Sequence, residues 1–253
     1  MSLYLKLFNT TSAYTAYTAD TENFVLPNVS LIEETNGVAY HPWVDPCASE
    51  KVKTTYEWVE IGGVKWATKN VGALTVTDYG QKFSWGGVNG YTNEQVSGGC
   101  HAFSWADYEL GNGGSSATDM TKYNSTDKKT VLEAVDDAAT VNMGSGWKMP
   151  TEADFNALSA ATTNAWVTDY KGSGVNGRLF TDKTDSSKVL FFPAAGRCSD
   201  GSVNSVGSNG YYWSSSLYTS NVVFGRRLYF DSGDCYISNY NRRSGCAVRG
   251  VVG

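Results

Sequence analysis

Gly210-Tyr-Tyr-Trp-Ser-Ser-Ser216 opens a tail that closes on Ala247-Val-Arg-Gly-Val-Val-Gly253. The tail has a regular frame: Tyr212-Trp-Ser-Ser-Ser216 in front, Leu228, Phe230 and Ser232-Gly233 in the middle, and Ala247-Val-Arg249 at the end. Between these lie Leu217 to Arg227, Asp234-Cys-Tyr236 and Ser238 to Cys246, which read by spacing as surface positions. They carry aromatics, arginines, cysteines and valines in no amphipathic order. From Ser214 to Gly253 there is no Lys, Glu, Gln, Met or Trp. At the rate of the preceding chain, roughly seven such residues are expected there.

One genetic process yields this pattern. When the adenines of an AAC codon are randomised, the resulting NNC set encodes Tyr, Ser, Cys, Phe, Arg, Asp, Gly, Val, Thr, Ile, Leu, Asn, Ala, His and Pro. It excludes the missing types and every stop codon. Asn221, Asn239 and Asn241 then read as unchanged positions. A β-rich, Gly/Ser-rich tail that lacks five residue types by coincidence is the competing reading.

The chain has 253 residues, enough for one large domain or one domain with a small appendage. Its net charge is −5 and its pI about 5.1, with no basic stripe, which argues against a nucleic-acid partner. Abundant Gly, Ser, Thr, Asn and Tyr suit short strands and ordered loops. The opening Met1-Ser-Leu-Tyr-Leu-Lys-Leu-Phe8 partly alternates like a strand. It reads as neither signal peptide nor membrane span, so no membrane insertion is expected. Five cysteines without C-x-x-C spacing, and only two histidines, support neither a disulfide framework nor a zinc site. Cys100-His101 is discounted as a catalytic pair, because neighbours in a strand point apart.

Residues 1–52 read as a small β-rich segment, with strands at Tyr4 to Phe8, Asn23 to Leu26, Val29 to Ile32 and Val38 to Tyr40. Thr35-Asn-Gly37 supplies a hairpin turn, and Pro42 and Pro46 mark a boundary. Residues 53–253 form the main domain. Glu57 to Ile61 and Val64 to Ala67 form a hairpin around Gly62-Gly63, Phe83-Ser-Trp85 is a short strand, and 87–129 is a long loop stapled by Phe103, Trp105 and Tyr108. Helical spacing predicts a helix over 130–141 and another after Thr151, an N-cap with Asp154 three residues on. Phe155, Leu158 and Ala161 form the second helix's buried stripe. Trp166-Val167, Gly177 to Phe180 and Val189 to Phe192 read as strands, and Asp200-Gly201 as a turn. The expected class is α+β: two helices on short, twisted antiparallel sheets, rich in loops.

Several pieces together resemble a known family. They are Trp66-Ala-Thr-Lys-Asn-Val-Gly-Ala73, Tyr79-Gly80, Phe83-Ser-Trp-Gly86, Asp137-Ala-Ala139, Gly146-Trp-Lys-Met-Pro-Thr151, Phe192-Pro-Ala-Ala-Gly196, Gly210-Tyr-Tyr-Trp-Ser-Ser215 and Ala247-Val-Arg249. From Tyr56 to Val251 the chain resembles the Fibrobacter succinogenes major paralogous domain, which implies a C-type lectin fold akin to the formylglycine-generating-enzyme branch. That family tends to close on Ser-Val-Arg-Cys, where this chain has Ala247-Val-Arg-Gly250. The tail, about 211–249, also resembles the variable region of diversity-generating retroelement target proteins.

That resemblance implies a displayed, mutable surface on a rigid scaffold anchored by Trp147 and Trp213. The implied ligand-binding set is Tyr218, Asn221, Phe224, Arg226, Arg227, Tyr229, Asp231, Asp234, Tyr236, Tyr240, Arg242 and Arg243. It has the composition of a paratope: Tyr for rigid contact area, Arg for anchors. The expected function is receptor binding by a phage tail tip or a bacterial adhesin, on the virion or the cell surface. The partner would be a protein or glycan on a bacterial surface, with multivalent display raising avidity and a homo-oligomer left open. No enzyme activity, cofactor or metal is expected. A fixed-specificity adhesin is the main alternative. A calcium lectin lacks its Glu-Pro-Asn, Gln-Pro-Asp and Trp-Asn-Asp motifs, leaving Asp231 and Asp234 as isolated oxygens. A formylglycine-type enzyme has only Cys235 and Cys246 as tail thiols, which could alternatively form a disulfide if close.

Overall fold

The computed structural model describes residues 46–48, 52 and 54–253, together with the backbone of four short strands before them. The chain divides into two compact units, Met1–Asp45 and Pro46–Gly253. In the first unit β1 (Leu3–Leu5) pairs antiparallel with β2 (Thr15–Tyr17), and β3 (Ile32–Glu33) with β4 (Ala39–Tyr40). The turn residues 35–37, the strand expected at 23–26 and residues 29–31 of the next lie outside the described residues.

The second unit begins with the expected hairpin. β5 (Trp58–Ile61) pairs with β6 (Val64–Ala67), and Gly62 and Gly63 between them have φ of 64° and 75°, a backbone that L side chains resist. The end of the chain returns to this start. β16 (Val251–Val252) lies between β6 and β7 (Trp147–Lys148), giving the order β5-β6-β16-β7. Arg249 locks that closure. It is fully buried, donates to Asn70 Oδ1, Ala67 O and Phe191 O, and lies 4.4 Å over the Phe192 ring.

A second sheet orders β8 (Thr162–Val167), β9 (Gly177–Asp182) and β10 (Val189–Pro193) as β10-β9-β8. The third carries the tail: β11 (Ala195–Ser199), β12 (Ser202–Val206), β13 (Gly210–Leu217), β14 (Phe224–Phe230) and β15 (Cys235–Asn241), in the order β12-β11-β13-β14-β15. The pairings are antiparallel, as expected, with one exception: β11 runs parallel to β13 at Gly196↔Gly210. The β11–β12 hairpin turns at Asp200-Gly201 and sends the chain back past β11. β13 therefore enters in the direction of β11.

The expected helices fare differently. α3 (Glu152–Ala161) starts where the capping pattern places it, with Thr151 and Asp154 each accepting the other's backbone N–H. Phe155 and Leu158 are fully buried in a cluster with Trp66, Phe192, Tyr212, Leu228 and Phe230. The helix expected over 130–141 is mostly not a helix. Leu132 N–H donates to Ser215 O and Val131 bridges Ser216, so this segment is committed to β13. A single 3-10 turn (Ala134–Asp136) precedes the one α-helical piece, α2 (Ala138–Met143), where Asp137 caps the helix at Thr140 N–H and also accepts from Met149 N–H. Val131 and Val135, two of the apolar residues whose helical spacing suggested the longer helix, are exposed. A further helix, α1 (Asn93–Ser97), sits in the long loop, which Phe103 and Tyr108 anchor as buried residues. Phe83 forms a bridge to Cys246 rather than a full strand.

The expectation against a disulfide is corrected: Cys47 and Cys100 are bonded. Nothing in their spacing of 53 residues signals the pairing, which depends on the path of the loop. It removes Cys100 from any nucleophilic role. Trp213 is a core residue, but Trp147 is only half buried, edge-on to Tyr56 at 5.9 Å. No helix among the described residues is long and apolar enough to cross a membrane.

Candidate functional site

Strand alternation sorts the tail onto two faces of the third sheet. Cross-strand partners share a face, so Tyr212↔Leu228↔Ile237 and Phe230↔Cys235 point one way, toward α3 and its core cluster. Tyr211↔Tyr229↔Tyr236, Arg227↔Ser238 and Gly225↔Tyr240 point the other way. Trp213 and Gly225 on this second face are covered by the loop that carries Trp85. A Cβ on Gly225 would come within 2.4 Å of Trp85 Cδ1. Beyond that cover, tyrosines and arginines occupy the face.

Arg227 is at its centre. It is 8 % exposed, and its guanidinium carbon lies 4.0 Å from the Tyr240 ring centroid, 4.5 Å from Tyr211 and 5.5 Å from Tyr229. Its Nε donates to Ser238 Oγ at 3.1 Å, while Nη1 is buried without a hydrogen-bond partner. Burial pushes its pKa down from the ordinary arginine value. Arg197 of β11 joins from the neighbouring strand, 5.3 Å over Tyr211 and 5.5 Å over Tyr240, donating to the Tyr211 hydroxyl at 3.0 Å. Ring faces attract guanidinium groups, which accounts for the stacking.

Tyr229 ties the face to the β14–β15 turn. Its hydroxyl donates to Asp231 Oδ2 at 2.7 Å and accepts from Asn209 Nδ2 at 2.8 Å. Burial and that carboxylate push the Tyr229 pKa up to about 12. The same hydrogen bond, helped by the N–H groups of Asp234 and Gly233, holds Asp231 below the usual carboxylate range. Asp231 thus serves the turn, and Asp234 is exposed beside it. Tyr236, 51 % exposed, packs 5.1 Å from Tyr229.

The expected ligand set is therefore not one surface. Arg227, Tyr229, Tyr236 and Tyr240 share the tyrosine–arginine face. Phe224 and Arg226 belong to the opposite side of β14, where Tyr218 packs on both and Arg226 forms an ion pair with Glu152 at the start of α3. Asn221 is exposed in the β13–β14 turn and caps it by accepting from Val223 N–H. Arg243 pairs with Asp200 and donates to Phe103 O. The placement of Arg242 is a correction: it is fully buried, donating to Tyr108 Oη and to the carbonyls of Lys122, Tyr123 and Val222, against the rings of Trp85, Tyr108 and Tyr123. It holds the long loop to the sheet.

Sequence reasoning missed Arg197 and Tyr211. The signal was present in the alternation of Ala195-Gly-Arg-Cys-Ser199, where Arg197 stands between residues that face the interior. The thiols do not converge: Cys246 packs with Trp213 in one core cluster and Cys235 beside Phe230 in the other. Burial pushes their pKa values up to about 12 and about 11. Among the described residues no three His, Cys, Asp or Glu side chains come together as metal ligands. A cleft of about 470 Å³ lined by Asp78, Tyr79, Asn93 and Glu94 among others contains no member of the tyrosine–arginine face.

A family described as a domain of unknown function, DUF8237, matches residues 175–251. No curated protein and no solved structure matches the chain. The matched span takes in every residue of the tyrosine–arginine face, Arg197 included.

Proposed function

We propose that this chain is a binding protein that displays a ligand-facing surface on a C-type lectin scaffold, diversified in its tail by adenine-directed mutagenesis. The observation that carries the reading is the coincidence of two independent features. The segment without Lys, Glu, Gln, Met or Trp builds β14, β15 and the second half of β13. Those strands present Arg227, Tyr229, Tyr236 and Tyr240 together on one side, a paratope-like composition on a rigid sheet. The short sheets, long ordered loops and the α3 helix behind the tail support the lectin scaffold. The Cys47–Cys100 bond supports display in an oxidising setting, on a virion or a bacterial cell surface. A protein or glycan receptor there is the proposed partner, and no chemistry on it is proposed.

One observation favours a fixed-specificity adhesin instead. Arg242, inside the segment, has four hydrogen-bond partners in the core, a position that free randomisation would ruin. The DNA beside the gene decides between them. A near-copy of the segment encoding 212–251, differing almost only at adenines and accompanied by a reverse transcriptase, is the expected finding. The copy should carry no adenine difference at the Arg242 codon. Absence of any such copy sinks the diversification reading and leaves the fixed adhesin.

A further inference from the structure

Among the described residues five ion pairs form, and neither Arg197 nor Arg227 belongs to one. Among the described residues no acidic side chain forms an ion pair with either arginine. Asp231, the acid on the adjoining turn, is taken up by Tyr229 and by two backbone N–H groups. Two neighbouring guanidiniums without a counter-charge oppose each other, and a largely buried one is costly to leave unneutralised. Arg227 Nη1 and Arg197 Nε are both buried without hydrogen-bond partners. Tyrosine rings offset part of that cost but supply no negative charge.

What surrounds the pair on the open side is specific too. Tyr236 is half exposed, Tyr240 partly so, and no hydrogen bond to either hydroxyl is formed among the described residues. The face thus offers ring planes, free hydroxyls and an uncompensated pair of cations. Ring planes stack on the C–H faces of a sugar, hydroxyls bond to its hydroxyls, and guanidinium groups bind a carboxylate with charge-assisted hydrogen bonds.

We infer that the tyrosine–arginine face of this chain takes a carboxylate-bearing oligosaccharide, its carboxylate at Arg197 with the charge of the buried Arg227 behind it, and separate sugar rings on Tyr236 and Tyr240. The inference rests on the ligand-display reading and names the class of ligand. Arg197 lies outside the tail, so its charge stays in place when the tail varies.

The test uses the full chain with two acidic probes, an oligogalacturonate and a sialyl oligosaccharide, measured by calorimetry. The methyl-esterified oligogalacturonate and poly-glutamate are the controls. At least one acidic saccharide should bind, its affinity falling with salt. Its ester should not bind, and Arg197→Gln should weaken binding at least tenfold. Tyr236→Ala, at an exposed position, should weaken it severalfold while the melting temperature holds. No binding of either saccharide overturns the inference, as does binding that survives esterification or both substitutions. Poly-glutamate binding as tightly, with the same Arg197 dependence, assigns the face to an acidic peptide and overturns the saccharide. The underlying reading fails separately: acidic-saccharide binding without any template copy in the DNA removes diversification but leaves the anion site. A template copy with no binding does the reverse.

Discussion

Adjacent arginines show how little a residue type decides. Arg242 and Arg243 read alike in sequence, yet one is fully buried among three aromatic rings and the other pairs with a mostly exposed Asp200. Arg242→Met should therefore lower the unfolding free energy by at least about 2 kcal/mol, since it strands carbonyls and a tyrosine hydroxyl in the core. Arg243→Met should cost less, because Asp200, its partner, is mostly exposed and returns to water. Urea denaturation of both variants tests this, and equal losses would refute the division. Gly225→Ala is a second test at this scale. The new methyl would meet Trp85, whose indole is fixed by its hydrogen bond to Ser214 O, so it cannot retreat. A loss of about 1–3 kcal/mol is expected from overpacking. Spacing alone gave no sign of either burial, because both residues depend on a loop that folds over the sheet from more than a hundred residues away in the chain.

Local chemistry was legible where an element carries its own signal. The Thr151/Asp154 cap, the Gly62-Gly63 hairpin and the strands from Trp166 onward each follow from neighbours within a few residues. Thr151→Ala should destabilise by about 1 kcal/mol through loss of the cap, seen as a lower urea midpoint. The 130–141 segment had helical spacing but lost the competition to β13, a partner that periodicity cannot see. Of the site, Tyr229, Tyr236 and Tyr240 were named through the resemblance and their paratope-like composition, whereas Arg197 sits in a strand that reaches them only by the parallel crossing. The β14–β15 turn has a pH signature. Asp231 is held below its ordinary value, so its stabilising effect is full above the unfolded carboxylate value of about 3.9 and is lost as pH falls through the folded value. The difference in urea midpoint between the parent and Asp231→Asn should shrink below about pH 4. A difference constant down to pH 3 would contradict the assignment.

For the molecule as a whole, the disulfide was the least legible feature and has the largest reach. It closes a span of 53 residues that includes β5, β6 and α1. In the chain-entropy view such a bond is worth about 2–4 kcal/mol. Replacing Cys47 and Cys100 by serine should lower the melting temperature accordingly. Thiol titration of the unfolded, non-reduced chain should find three thiols, those of Cys198, Cys235 and Cys246; five would refute the bond.

The same bond determines how the protein carries load. On the proposed reading, a ligand pulling on the tail sheet against an anchored N-terminal end makes the domain a mechanical linkage. Tension entering at Cys47 crosses directly to Cys100, so β5, β6 and α1 lie off the load path. They bear no tension as long as the bond holds. In single-molecule pulling, the oxidised protein should extend less than the reduced one by about 180 Å, the contour of the shielded span.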